Sequence, residues 1–300
     1  MKALRPFRFG VVAAQARAGE EWTAKARHVE SQGYSTLLVP DGLRYTLAPL
    51  PALAAAATAT RSLRIGTYVL ANDFRNPVLL AKEAATLDLL SGGRFELGLG
   101  VGRPQAAEDN HMLGLPFDSG GVRVARLAEA LALIKPLLTG QSATAGGPHY
   151  RAIAAQIAPR LVQQPWPPIL IGASGRRLLS LAARQADIIA LGVAPADPEE
   201  IVEERIGWLR KAAPERFERL ELNLNLMAVG DQVPRWISAQ MGMSAAALAA
   251  AGAASALVGT TEEMCDTLLR RREKLGISYI AVGDELSDAL APVVERLAGR

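Results

Sequence analysis

The chain has 300 residues, 50% of them hydrophobic and 21% charged, with a formal net charge of +3 at pH 7, the make-up of an ordinary globular protein. That charge is weak for the length, and no stretch gathers it into a basic stripe interleaved with aromatics, which argues against nucleic-acid binding. No apolar run approaches the roughly 20 residues of a bilayer span, and the one cysteine, Cys265, has no partner within the chain and reads as a small buried helix residue, in keeping with a reducing, cytoplasmic compartment.

Lys2 and Arg5 precede, and Arg8 opens, an apolar run within FRFGVVAA in the manner of a signal peptide, but Gln15 and Arg17 break it off too early. It reads instead as a first strand, Phe7–Ala13. A helix from about Glu20 to Gln32 stops at Gly33, and a second strand, Thr36–Pro40, carries Asp41-Gly42 at its end. An alanine-rich helix (Pro51–Thr60) and a third strand (Arg64–Leu70) follow. The next helix opens at Asn76-Pro77, with proline in its first turn, and runs to Leu90.

Ser91-Gly92-Gly93 turns the chain into a fourth strand at Arg94. Side chains alternate along a strand, so Phe95, Leu97, Leu99 and Val101 face one way and Glu96, Gly98, Gly100 and Gly102 the other. A glycine face must lie against something that comes close, another backbone or a ligand.

A polar loop, Arg103–Pro116, leads to an amphipathic helix at about Gly121–Leu138 and a proline-rich irregular excursion over 139–168. Then come strand five (Ile169–Gly172), a helix (Arg176–Gln185), strand six (Asp187–Leu191), a helix (Pro198–Ala212) and strand seven (Leu222–Val229). A second insertion, 230–257, contains SAAALAAAGAAS, which predicts a covered helix because alanine is the best helix former. A helix at Thr260–Leu275, strand eight at Tyr279–Val282 and a closing helix at Ser287–Leu297 complete the chain.

Eight short apolar strands, each followed by a helix in units of roughly forty residues, predict an α/β fold, a (β/α)8 TIM barrel. It is expected to be a single domain over 1–300, with insertions after strand 4/helix 4 and after strand 7. A doubly wound sheet would want G-x-G-x-x-G after its first strand, where this chain has VVAAQARAG.

Barrel active sites are built from strand ends and the loops after them. All six lysines fall on predicted helices or the N-terminal tail, which disfavours a Schiff-base aldolase. The three histidines, His28, His111 and His149, have no metal-ligand spacing, and no metal site is expected. Chemistry carried by a cofactor suits such a site, with the protein supplying shape and electrostatics. The glycine face of strand four leaves room for a flat ring. Gly172-Ala173-Ser174-Gly175, followed by Arg176 and Arg177, is either an anion cradle at a helix N-terminus or a tight turn with surface arginines. Inside a barrel Glu96 must be paired, and Arg8 and Arg64 are its natural partners. Arg44 and Arg75 meet an anion or are surface charges, and Trp166 covers the barrel rim.

The stretches LRIGTYVL (63–70), NPVLLAKEAATLDLLSGGRFELGLGVG (76–102), GLPF (114–117), RLAEALALIKPLLTG (126–140), PPILIGASGRRLLSLAARQADIIALG (167–192) and LVGTTEEMCDTLLRRREKLGIS (257–278) resemble the luciferase-like monooxygenase superfamily. Within it they are most similar to the coenzyme F420-dependent oxidoreductases. The resemblance implies a barrel, usually dimeric, that binds F420 or FMN, with a non-proline cis peptide at the end of strand three, here Tyr68-Val69. It implies cofactor contacts from Asp41, Tyr68, Val69, Ala71, Gly102, Arg103, Ala173, Ser174 and Gly175, with the phosphate near the fourth loop and the GASG turn.

F420-dependent sugar-phosphate and alcohol dehydrogenases of the family carry a histidine base after the strand-two aspartate. Gly42 stands there in this chain, so alcohol oxidation loses its base. Glu108 and His111 are the candidates to deliver a proton, and read equally as solvated loop residues. The expected function is hydride transfer between F420 and a small organic substrate by a cytoplasmic homodimer. An FMN-dependent luciferase-like monooxygenase and a flavin-binding barrel without catalysis are the alternatives.

Overall fold

A computed structural model describes residues 4–300 of the chain. Its barrel strands are β1 (Arg8–Val12), β2 (Thr36–Val39), β3 (Arg64–Thr67, resuming at Leu70–Ala71), β4 (Phe95–Gly100), β5 (Ile169–Ala173), β6 (Ile188–Leu191), β7 (Glu221–Leu226) and β8 (Ile277–Gly283). The strand order β3-β2-β1-β8-β7-β6-β5-β4 is closed by pairing of β4 with both parts of β3. This is the (β/α)8 barrel that the sequence predicts. Eight helices alternate with the strands: α1 (Gly19–Ser31), α2 (Pro49–Ala59), α3 (Pro77–Leu90), α4 (Gly120–Leu138), α5 (Arg176–Gln185), α6 (Glu199–Ala212), α7 (Thr261–Leu275) and α8 (Ser287–Leu297). Among the described residues, no helix is long and apolar enough to cross a membrane.

The chain packs as two compact units, one comprising the residues up to Ala13, Lys25–Leu38 and Ala173–Arg300, the other Ala14–Ala24 and Val39–Gly172. In the first, register pairs Arg8 with Tyr279 and Gly10 with Ala281, and Tyr279 and Ala281 with Asn223 and Asn225. Registered residues of parallel neighbours share a face, so these line the inside of the barrel wall. The alternate set, Phe9, Val11, Leu224, Leu226, Ile280 and Val282, is fully buried beneath the helices. Arg8 is bound to Glu221 at 3.0 Å and lies 4.2 Å over the Tyr279 ring.

Strand seven is shorter than the sequence predicts. It leaves the sheet at Leu226 because the next amides, Met227 and Ala228, donate to the carbonyl of Ser255. Ala228–Val229 then pair with Ala256–Leu257. Between them the alanine-rich insertion forms the expected helix, Ala245–Ala250, but it is covered only at Ala245 and Leu248, with Ala246, Ala247 and Ala250 exposed. With a second helix, Arg235–Met241, it packs on a small core of Ala228, Ile237, Ala245, Leu248, Ala253 and Ala256. Helix α7 opens with a capping box in which Thr260 and Glu263 satisfy each other's backbone amides.

In the second unit Asn76 caps α3 through the amides of Val78 and Leu79, and Gly92 and Gly93, at φ +63° and +82°, make the turn into β4. Below the strand ends, Arg64 Nε donates to Glu96 at 2.5 Å and satisfies that buried acid. The 103–116 segment, expected as a loop, contains the short helix Ala107–Met112, with Glu108 and Asp109 in its first turn where the dipole favours acids. The excursion also has structure that the sequence does not announce, an antiparallel hairpin of Ala143–Gly146 with Arg151–Ala155. Two carboxylates fasten it: buried Asp88 accepts from the amides of Val162 and Gln163, and Glu129 from those of His149 and Tyr150. Lys135 stands 5.0 Å over the ring of Trp166.

Candidate functional site

The third strand breaks where the resemblance puts a special peptide. The Tyr68-Val69 bond is cis, and pairing with β4 stops at Gly66 and resumes at Leu70. Thr67 Oγ1 both accepts from the Gly98 amide and donates to the Gly98 carbonyl, each at 2.8 Å. The Thr67 carbonyl oxygen lies 1.8 Å from where a Cβ on Gly98 would sit, and Val69 Cγ2 lies 2.6 Å from a Cβ on Gly100 and 3.4 Å from one on Gly172. The glycines of β4 and the adjacent one on β5 therefore make room for the bulge of the neighbouring strand. Burial pushes the pKa of the Tyr68 phenol up, against the opposing pull of Arg103, and keeps it protonated.

Asp41, at the end of β2, is turned onto this bulge. Its carboxylate accepts the Ala71 amide at 3.0 Å and grips Arg75 through both guanidinium arms, at 2.5 and 3.3 Å. Both side chains are largely buried. Arg75 thus belongs to the scaffold behind the strand-three end and is not a loose mouth cation.

Beyond the bulge, buried Asn72 donates to the Tyr150 hydroxyl at 3.1 Å, and Asp73 pairs with Arg126 at 2.9 Å. Gly102 has φ +75°, and an added Cβ there would meet Arg123, Ala106 and Phe117 within 3.5 Å. The Arg123 guanidinium donates to the carbonyls of Val101 and Gly102 and stacks 3.9 Å over Phe117. A side chain at 102 is thus excluded both by backbone conformation and by this arginine. Arg103 is exposed.

The residue after Asp41 is Gly42. A Cβ there would come within 3.2 Å of Asp109 Oδ2 and of the Tyr45 ring, and the same Asp109 oxygen accepts from the Leu43 amide at 3.3 Å. A carboxylate from the short helix after β4 therefore occupies the space at the end of β2. The two neighbours singled out from sequence are placed differently. Glu108 forms an exposed ion pair with Arg44, and His111 is exposed. Nothing in the sequence signals Asp109, whose separation from Gly42 is closed only by the fold.

In the first unit, Ala173 ends β5 and Ser174-Gly175 leads into α5. Gly175 is the N-cap and supplies no side-chain cap, and the first turn carries Arg176 and Arg177 and no acid. Uncapped amides at a helix start, flanked by arginines, suit an anion. The Ala173 carbonyl accepts from the Gly192 amide at 2.8 Å, and Ser174 packs beside Gly192. Asp41, Tyr68, Val69, Ala71, Gly102 and Arg103 thus belong to the second unit, and Ala173, Ser174 and Gly175 to the start of the segment that builds the first.

Residues 5–230 match the model of the luciferase-like monooxygenase family. The F420-dependent glucose-6-phosphate dehydrogenase of Nakamurella multipartita is 35% identical over 202 residues, 64% of this chain and 58% of that protein. The enzyme of the same name from Beutenbergia cavernae is 36% identical over 166 residues, 53% of this chain and 48% of that one. The chain spans about half the length of these curated relatives. Among solved structures, the coenzyme F420-dependent tetrahydromethanopterin reductase of Methanopyrus kandleri superposes with a TM-score of 0.78 over 98% of this chain and 99% of the other. At 18% identity it shares the fold.

Proposed function

The chain belongs to the luciferase-like monooxygenase family, and on that premise we propose that it is a cytoplasmic oxidoreductase that uses F420 to transfer a hydride to a small organic substrate. The observation that carries this is the 35–36% identity to F420-dependent dehydrogenases. The structure supports it with groups that fit such a cofactor: a fixed wall at Tyr68-Val69 locked by Asp41 and Arg75, and an uncapped helix start with two arginines for a phosphate.

Bound F420 supplies a deazaflavin carbon that gives or takes hydride. The rest is the work of this chain's residues. Tyr68, Val69 and Ala71 back the ring, and Asp41 holds that wall in place. Gly102 and Arg103 shape the end of β4, while Ala173, Ser174 and Gly175 offer backbone amides to the phosphate. Asp109, set against Gly42 at the end of β2, is the acid–base group we assign to that strand end. With no histidine at position 42, reduction of an activated double bond or imine-like acceptor needs less help than alcohol oxidation, and reduction is the direction we assign. A second copy of the chain completes a homodimer through the apolar groove between α2 and α3. There Leu79 and Leu90 are more than half exposed, and Lys82 and Glu83 can pair reciprocally across a two-fold axis.

Fluorescence titration with F420 and with FMN tests the cofactor. Micromolar binding of FMN without F420 would replace the assignment by the FMN-dependent monooxygenase, and bound cofactor with no turnover of enones or imines would favour a carrier. D109N should lower turnover at least about tenfold and leave cofactor affinity intact. Sedimentation of L79E/L90E should give a monomer.

A further inference from the structure

Along β7 the chain reads Glu221, Leu222, Asn223, Leu224, Asn225, Leu226, and the polar members face the inside of the barrel wall. Each except the last is satisfied by its own wall. Glu221 holds Arg8, and Asn223 donates to the Tyr279 carbonyl at 3.2 Å. One step nearer the C-terminal end, Asn225 has no such partner. Its Oδ1 is buried and accepts no hydrogen bond, and a buried carbonyl left unpaired is costly enough that folded proteins rarely keep one without use.

Its neighbours in the row carry almost no side chain of their own, the Tyr279 ring lying 3.1 Å from where a Cβ on Gly10 would sit and Ser174 Cβ 3.2 Å from one on Gly192. Asn225 registers with Ala281 on β8, and Ala281 with Gly10 on β1. On the other side Leu224 pairs with Leu191, so the next rung sets the exposed Gly192 beside Asn225. The row across four strands is therefore Gly10, Ala281, Asn225, Gly192, a single carboxamide among residues with almost no side chain. An asparagine carboxamide presents an acceptor and a donor side by side. Its chemical complement is an imide edge, N–H beside C=O, which can meet both at once.

We propose that Asn225 is a ligand contact that receives the imide edge of the bound flavin or deazaflavin ring, with Oδ1 accepting the ring N–H and Nδ2 donating to an adjacent ring carbonyl. The proposal rests on the cofactor reading above, and both F420 and FMN carry this edge. The test compares wild type, N225L and N225A by titration with F420 and FMN, and with FMN methylated on the imide nitrogen, following ring fluorescence. Thermal melts check that each variant is folded.

Wild type should bind the methylated ring about tenfold more weakly than FMN, or the deazaflavin equivalent more weakly than F420, and both variants should lose about tenfold in affinity for the unmethylated ring together with that discrimination. A merely structural asparagine would not change the response to methylation. Variants that bind within about twofold of wild type, or that still discriminate, overturn the proposal while leaving F420 in place. Binding of FMN alone overturns the F420 assignment, and Asn225 is then judged on FMN. A wild type that binds neither ring overturns both.

Discussion

The glycine face of β4 can be challenged one methyl group at a time. In G98A the new Cβ would lie 1.8 Å from the Thr67 carbonyl oxygen, where real contacts do not fall below 3.0 Å. That oxygen is backbone and cannot swing aside, so the two strands must part by about 1 Å. Parting them breaks both 2.8 Å hydrogen bonds between Thr67 Oγ1 and the Gly98 backbone. Overpacking costs about 1–3 kcal/mol and each buried group left unpaired about 1–3 kcal/mol, so a loss of roughly 3–5 kcal/mol is expected. G100A meets only Val69 Cγ2, at 2.6 Å, the end of a side chain, and should cost about 1–2 kcal/mol. Adding V69A removes the obstacle, so the double variant should recover about 1 kcal/mol relative to the sum of the singles. Urea unfolding followed by circular dichroism, with equal m-values, compares wild type with G98A, G100A, V69A and the double variant. A G98A protein within about 0.5 kcal/mol of wild type, or no coupling between positions 69 and 100, would show that the bulge does not fill the glycine face.

The same scaffold yields further expectations. D41A strips the acceptor from the Ala71 amide and from the largely buried Arg75, and should cost about 2–4 kcal/mol and weaken cofactor binding, with D41N recovering part of both; unchanged affinity in D41A would remove Asp41 from the site. E96A leaves Arg64 without its carboxylate and should lower stability by about 3 kcal/mol in a thermal melt, whereas E96Q should lose less. T260A breaks the α7 capping box and should cost about 1 kcal/mol. Burial raises the pKa of Glu199, but Arg270, Arg271 and Lys274 outweigh it and hold the carboxyl below its usual value. A carboxyl depressed in the folded state stabilises above its unfolded pKa of about 4.3 and loses that contribution as pH falls through the folded value. R270A should therefore flatten the acid side of the stability–pH curve, and identical acid limbs would refute the role of the cluster.

Local pattern carried the repeating architecture. Hydrophobic runs spaced by capped helices mark each βα unit, and the alternation Glu96, Gly98, Gly100 exposes an unfilled face without saying what fills it. Pairing across the fold is what the sequence does not carry. In the sequence Arg75 suits an anion as well as a scaffold cation, and only the fold sets it 2.5 Å from Asp41; likewise Asp109 meets Gly42 only because the helix after β4 folds back over the end of β2. The excursion read as irregular because its order comes from Asp88 and Glu129, acids on distant helices that bind its backbone. Asn225 did leave a signal. In a strand whose leucines are buried under helices, a polar residue at every second position marks the inner face, and the run from Glu221 to Asn225 has that period.

Small residues on a barrel wall therefore carry two meanings, and sequence alone does not separate them. Gly98 and Gly100 are small because protein comes to them: a backbone carbonyl and a valine methyl already occupy the space that a side chain would need. Gly192 too has protein beside it, Ser174 Cβ at 3.2 Å from where a Cβ would sit, but it and Ala281 flank a carboxamide whose oxygen nothing in the described chain satisfies. Close packing makes an empty apolar gap unfavourable, and desolvation makes an unpaired buried carbonyl more so. The β4 glycines are explained by the folded chain itself, whereas beside Gly192 and Ala281 the Asn225 oxygen keeps an unmet hydrogen bond that folding alone does not account for. Asn225 is therefore the residue of this wall that calls for a ligand, and the glycines of β4 bear on the site only by fixing the wall that Val69 presents.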